Sequence, residues 1–548
     1  MRKIYIIICL CFITISLSAQ KLITTINTAN KVEGYSFKYD RKSGSYVYND
    51  YDTTKKKSVL VTPKGSSGEY DFEMVYTSVF DNSGNSYTVA YNRLQDMVYK
   101  YFLLKNNTEI ASFDFISDGW DISGGILYFY VKDGDKYYFI AYNTSSGEIS
   151  KGKGYDEIYL ASFVEEFYEG EPQGKVGFTN DGKPYYAALS NNEKFFVIGN
   201  EEQKHYSDIE YYVTKKDNKG DLVYFAKSKG TFYTERGNAF LVQGNKEFKA
   251  FDYVNGPIIF DKDNNPVYVA SDSAKNWDVL SRIMVGNKEG KLYSGSIYEY
   301  KFTPAGTLVY IVSALSKRST EEKTIYENFL VIDNTEGKKY NSLSYLTFFP
   351  YNEPVFIASN SKNRYYIVRE GKIISEKYDN IYDYSFMADG SLAYIGNNFG
   401  NYEKQIPDKH FVHIKGKKYG PYEFISMADY TSGKYIVTDN KNNFAFITSQ
   451  LVNPKDYIYK YKVITNKWES KDNDIVDIAR IINGKVIYIC GESIDRQNYK
   501  YKYSLFIDNK PAAEGYDNIM DPFYDKAANT LSFIGCRDNS FYLLEFGM

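Results

Sequence analysis

Histidine is scarce in this chain of 548 residues, which has only His205, His410 and His413. The last two lie three apart in a strand-like segment, where side chains alternate faces, so they point to opposite sides and make a poor metal pair. No zinc-ligand spacing occurs elsewhere, and neither a metal nor a cofactor is expected. Proline numbers 13, alanine is sparse, and no segment carries apolar residues at helical spacing over three turns. Helices are therefore not expected, and a serine-hydrolase domain, which needs alternating helices around a Gly-x-Ser-x-Gly elbow, is excluded. Beyond the first residues, no apolar run approaches the roughly twenty that a membrane-spanning helix requires. Basic charge is not in excess either: 66 Lys and Arg face 69 Asp and Glu. Such a surface does not suit nucleic acid.

What is present begins with an export signal. Met1-Arg2-Lys3 is basic, Ile4 to Leu17 is apolar, and Ser18-Ala19 are small. This order predicts a signal peptide over residues 1–19, cleaved near Ala19, and a secreted or periplasmic product with no membrane span. The 58 Tyr and 36 Phe, with many Val and Ile, favour strands throughout the remainder.

Those strands repeat. A polar turn followed by an apolar strand, cleanest at Asp389-Gly-Ser-Leu-Ala-Tyr-Ile-Gly396, recurs at a spacing of about 44 residues. Its central residues are Tyr48, Thr88, Tyr128, Tyr186, Tyr224, Tyr268, Tyr310, Phe356, Tyr394, Tyr435, Tyr488 and Phe533. Turn pairs such as Ser83-Gly84, Asp181-Gly182 and Asn483-Gly484 precede them, supplying the positive φ of tight hairpins. A second signature interleaves, an aromatic, an acid or amide, any residue and an aliphatic, as in Tyr155-Asp156-Glu157-Ile158 and Tyr516-Asp517-Asn518-Ile519. With a further hairpin between the two, each repeat holds four strands, the content of one propeller blade.

Phe178-Thr-Asn-Asp-Gly182 and Ser385-Phe-Met-Ala-Asp-Gly390 resemble the "FSPDG" step of WD40-like, TolB-type propeller repeats, although the proline is usually missing. The resemblance covers almost all of the chain after the signal segment. It implies an all-β propeller of about twelve four-stranded blades. Tyr-Asp-x-Ile also resembles an element of WG-type repeats, whose Trp-Gly step is absent. Since single rings usually hold four to eight blades, two six-bladed rings are expected, over 20–297 and 298–548, with a seam near Tyr293 to Tyr298; a seven-and-five split and one unusually large ring are the alternatives. The last repeat ends after its third strand at Phe541 to Phe546, so Leu22 to Ile26 is expected to supply the outer strand of that blade.

In a blade of this strand order, the second-to-third-strand loop and the crossover to the next blade open on one face. Length variation concentrates there, at Ser313 to Tyr326, Asn397 to Lys409 and Gly491 to Lys500, with a long crossover at Tyr159 to Gly174. Variable loops on a rigid scaffold commonly carry binding. Lys317, Arg318, Tyr402, Lys404, Arg496 and Tyr499 are the candidate binding residues, for a protein, a peptide or a glycan. Cys490 and Cys536, two and three residues past their anchors in neighbouring repeats, are candidates for a disulfide stapling the closing blade. Asp261-Lys-Asp-Asn-Asn265 with Asp272 has the alternating oxygens of a calcium loop, but Pro266 occupies the glycine position. The tyrosines suit either carbohydrate stacking or packing between blades. The leading reading is a non-enzymatic binding or scaffold protein. The alternatives are a glycan-active enzyme with paired carboxylates in a ring funnel, and a structural envelope component.

Overall fold

The computed structural model describes residues 19–25 and 37–548, apart from 53, 74, 96, 161–175, 233–234, 274–278, 317–318, 320–323, 349–352, 360–363, 402–405, 430–432, 454–457 and 497–498. The expected signal peptide, except Ala19, lies outside the described residues. Antiparallel strands dominate the described chain, and they assemble in sequence order into small sheets. A typical sheet orders Phe37–Tyr39, Tyr46–Asp52, Lys57–Thr62 and Gly65–Tyr70 as successive neighbours. This is the up-and-down order of a propeller blade.

Eleven of the twelve anchors fall on the second strand of a sheet, Tyr224 within Leu222–Lys227 and Phe533 within Thr530–Arg537 being examples. Tyr435 is the exception. It precedes Ile436–Thr438, which pairs along Phe444–Asn453, the true second strand, so the anchor there is Phe446. Both Gly433 and Asn442 take positive φ, 64° in each case, and the first of these two turns mimics the second in sequence.

Faces of neighbouring sheets form the core. Ile487, Ile489 and Leu505 of one sheet pack on Leu531, Phe533 and Leu544 of the next. Tyr224 and Phe240 likewise pack on Tyr185 and Phe196. Tyr87, Tyr155, Tyr185, Tyr268, Tyr310, Tyr378 and Tyr488 are among the largest fully buried side chains. Repeat-equivalent tyrosines therefore serve packing, and burial raises their phenol pKa values.

The expected outer strand is present. Ala19–Thr25 pairs antiparallel with Ser540–Gly547, from Ala19 opposite Glu545 to Thr25 opposite Ser540, and completes the last sheet. Chain compactness divides the protein into Ala29–Ile381 and a second unit of Met1–Thr28 with Tyr382–Met548. The expected seam at Tyr293 to Tyr298 instead falls inside one continuous strand, Tyr293–Phe302. Its start pairs with Leu280 and Ser281 of the preceding sheet and its remainder with Ala314 to Leu308 of the following one. A strand shared by two sheets cannot serve as a linker.

The cysteine expectation is also corrected, since no disulfide joins Cys490 and Cys536. Cys490 lies with Tyr488 and Val486 against Ala445 and Val463 of the sheet before. On the last sheet, Leu531 and Phe533 face the Cys490 sheet, and alternation sends Cys536 to the opposite side. The one-residue offset thus turns the thiols away from each other.

Candidate binding face

The acid of the Tyr-Asp-x-Ile signature sits where the outer strand of one sheet crosses to the inner strand of the next. Its role had no expectation in the sequence. Asp71 accepts hydrogen bonds from Lys57 Nζ at 2.7 Å, on the third strand of its own sheet, and from the Arg93 N–H at 2.7 Å, at the end of the next sheet's second strand. Asp114 repeats this with Lys100 Nζ (3.1 Å) and the Gly134 N–H (2.9 Å), and Asp208 with Lys194 Nζ (2.8 Å) and the Phe232 N–H (2.9 Å). Asp474 does so with Lys460 Nζ (2.8 Å) and the Ser493 N–H (2.9 Å). In all four the lysine precedes the aspartate by fourteen residues, a spacing that marks the latch in the sequence. Each latch ties a crossover to the neighbouring second-to-third-strand connection, placing both on one face.

The latches respond to pH in a defined direction. The Lys57 ammonium holds the Asp71 carboxyl below its ordinary range, and the Gly134 N–H, then Lys100, does so for Asp114. At Asp474, burial opposes ionisation but is outweighed by Lys460 and Ser493. A folded pKa below the unfolded one stabilises the fold above the unfolded value, and that contribution is lost as pH falls through the folded value. The urea midpoint is expected to drop between about pH 7 and about pH 3. Alanine at Asp71, Asp114 and Asp474 together should flatten that dependence; an unchanged profile would show the latches to be inert.

Lys317, Arg318, Tyr402 and Lys404 lie outside the described residues. Arg496 is a latch member, its guanidinium bonded to the Asp474 carboxylate. Tyr499 is 83% exposed and stands at φ 51°, just before Lys500–Ile507.

Tyr499 has apolar company that the charge-led reading of the loops missed. In the unit containing Tyr382–Met548, three consecutive sheets end their second-to-third-strand connections in exposed apolar residues: Phe399 and Ile406, Val452 and Tyr459, Ile494 and Tyr499. The hairpin strands are long here. Phe444–Asn453 runs against Ile458–Thr465, and Lys485–Asp495 against Lys500–Ile507, with Asp495 still paired to Lys500. Backbone pairing thus reaches Val452, Ile494 and Asp495 on the approach to two of these connections. In the unit Ala29–Ile381, the hairpin of Ser86–Gln95 and Val98–Lys105 carries Leu94, Met97 and Val98, with Met97 71% exposed.

Other chemistry is accounted for locally. Asp261 accepts N–H bonds from Asp263 (2.9 Å), Asn265 (2.8 Å) and the Asn265 side chain (2.9 Å), the same turn formed at Asp81 and Asp439, so its oxygens are spent on donors. His410 Nδ1 lies 3.1 Å from the Tyr382 hydroxyl, and His413 stacks on Tyr394 at 4.4 Å. Among the described residues, no group of three or more His, Cys, Asp or Glu is placed to hold a metal ion. Burial pushes Glu210 up to about 7 and raises Asp383, but the two lie in different units. Asp383 is bonded by the N–H groups of Tyr435 and Ile436, and Asp208, beside Glu210, is engaged in its latch.

No family model matches the chain. No curated protein matches it either. Solved structures similar to it include a eukaryotic initiation factor, at 9% identity, 77% of this chain, 98% of that one and a TM-score of 0.32. The β-propeller domain of the Trilobed protease from Pyrococcus furiosus is similar at 13% identity, 54% of this chain, 92% of that one and a TM-score of 0.26. Virginiamycin B lyase from Staphylococcus aureus is similar at 10% identity, 50% and 90% coverage and a TM-score of 0.21. The chain itself is an all-β propeller protein by its strand order.

Proposed function

We propose that this protein is a secreted or periplasmic, non-enzymatic binding propeller that holds a protein, peptide or glycan on its loop-rich face. One observation carries the reading: Phe399, Ile406, Val452, Tyr459, Ile494 and Tyr499 are exposed in the second-to-third-strand connections of three consecutive sheets. Scattered apolar residues on a surface are ordinary, whereas apolar residues gathered at equivalent tips mark an interaction surface. Aromatic and branched anchors of this kind supply most of the energy in protein interfaces. The basic start, apolar run and Ser18-Ala19 step support export.

The test is capture from the native cell envelope by the purified mature chain and by an Ile494→Ser/Tyr499→Ser variant. Both residues are exposed, so the variant should fold normally. Retention of the captured partner is expected to fall by more than about tenfold, a loss of about 1.4 kcal/mol or more. Equal retention would remove the tips from the binding surface.

A second reading draws on Glu210, whose carboxyl burial pushes up to about 7, in the range of a general acid. A glycan-active enzyme built on it would lose turnover of envelope glycans on Glu210→Gln while keeping its fold. Absence of turnover by the unaltered protein would dispose of this reading.

A further inference from the structure

A cleft opens beside the shared strand Tyr293–Phe302 in the unit Ala29–Ile381, with a volume of about 530 Å³, in the range of small-ligand sites. Its described lining comprises Ser271, Ser281, Ser294, Ser296, Ser313, Asn255 and Tyr326 with a few apolar neighbours, and no charged side chain is among these described lining residues. Its location follows from the strand that two sheets share. The shared strand leaves Leu280 opposite Ser294 on one side and Ser296 opposite Ser313 on the other. Gly295, between the two pairings, stands at φ 137°, where a Cβ would lie 2.0 Å from the Ser313 carbonyl oxygen. Only glycine fits, so main chain packs on main chain there.

The hydroxyls of this cleft are not consumed by the protein. Ser271 and Ser281 are 4% and 2% exposed, and their hydroxyls lie 2.9 Å apart. In such a pair one hydroxyl donates to the other, and the second proton needs an acceptor of its own. Neither serine has another side-chain hydrogen bond among the described residues, nor do Ser294, Ser296 and Ser313 have any. A buried donor left without a partner is costly, and the space beside this one is the cleft. Tyr326 adds a half-exposed aromatic ring.

We infer that this cleft binds a short, uncharged oligosaccharide. Hydroxyl donors and acceptors without net charge match sugar hydroxyls. A tyrosine ring packs on sugar C–H faces while its own hydroxyl stays wet. An anionic ligand finds no cation among the described lining residues. A peptide adding as a strand finds the local edges already paired, Ser271 with Ser281 and Leu280 with Ser294. The inference deepens the binding reading by naming a ligand class for a cleft in the unit Ala29–Ile381, and it rests on that reading. The hairpin tips lie in the other unit, so partner capture and sugar binding fail separately.

The experiment titrates the mature chain with cellotetraose, maltotetraose, xylotetraose and the anionic tetragalacturonate, using calorimetry and saturation-transfer NMR. At least one neutral tetraose should bind and tetragalacturonate should not. Tyr326→Ala, which removes the ring, should weaken binding by about tenfold. Ser296→Glu, which brings a carboxylate to an exposed lining position, should do the same. Both should leave the circular dichroism spectrum and tip-dependent partner capture unchanged. Binding of none of the neutral sugars, equal binding of tetragalacturonate, or undiminished binding by both variants would overturn the inference.

Discussion

Removal of Gln20–Thr25 from the mature chain should make it self-associate further and be rapidly cleaved within residues 382–548. The strand is held mainly by main-chain pairing, since Leu22 is exposed and Ile23 and Thr24 are only partly buried. Without it, Ser540–Gly547 becomes an edge with unpaired N–H and C=O groups on a sheet whose Phe541, Leu544 and Phe546 are buried. Exposed hydrophobic edges pair with other chains. Light scattering and limited proteolysis read both effects, and a synthetic Gln20–Thr25 peptide added in excess should restore the behaviour of the intact chain. A deletion variant as monomeric and protease-resistant as the intact chain would show that the last sheet does not depend on its N-terminal strand.

The second large effect is expected at a latch. Asp208 is the most deeply buried of the four acids, with a side chain 4% exposed, and it receives Lys194 as well as the Phe232 and Ile209 N–H groups. Alanine there leaves a half-buried ammonium and two backbone donors without their acceptor. Breaking a buried charged pair by removing one partner costs about 3 kcal/mol or more, and Asn, which keeps one acceptor oxygen, should lose less. Urea unfolding followed by fluorescence measures this on the transition of the unit Ala29–Ile381. A change below about 1 kcal/mol for Asp208→Ala would place the latch among ordinary surface ion pairs.

The repeat was legible because blade-forming strands carry local signals: a glycine or asparagine at positive φ, then alternating apolar residues. Leu22 to Ile26 was legible as the closing strand because the last repeat visibly lacks one. What escaped were features set by side chains distant in sequence. The role of Asp71 was not legible, since its lysine is fourteen residues before it and its amide donor twenty-two after. The cysteine pairing failed on handedness: an offset of one residue establishes opposite faces, but only the packing of Leu531 and Phe533 shows which face is which. Nothing local distinguishes Tyr293–Phe302, which joins two sheets without a break, from the first strands of other sheets. At the candidate face, the sequence pointed to loop charges. Arg496 proved to be bound to Asp474, while the exposed surface at the tips is apolar.

The most direct test is hydrogen–deuterium exchange of the mature chain, free and bound to the partner captured from the envelope. Protection concentrated in peptides covering 397–409, 451–459 and 493–500 is expected. Protection confined to the opposite ends of the strands, at turns such as Asp439 to Asn443 and Asn483-Gly484, with the tips exchanging as in the free protein, would contradict the account.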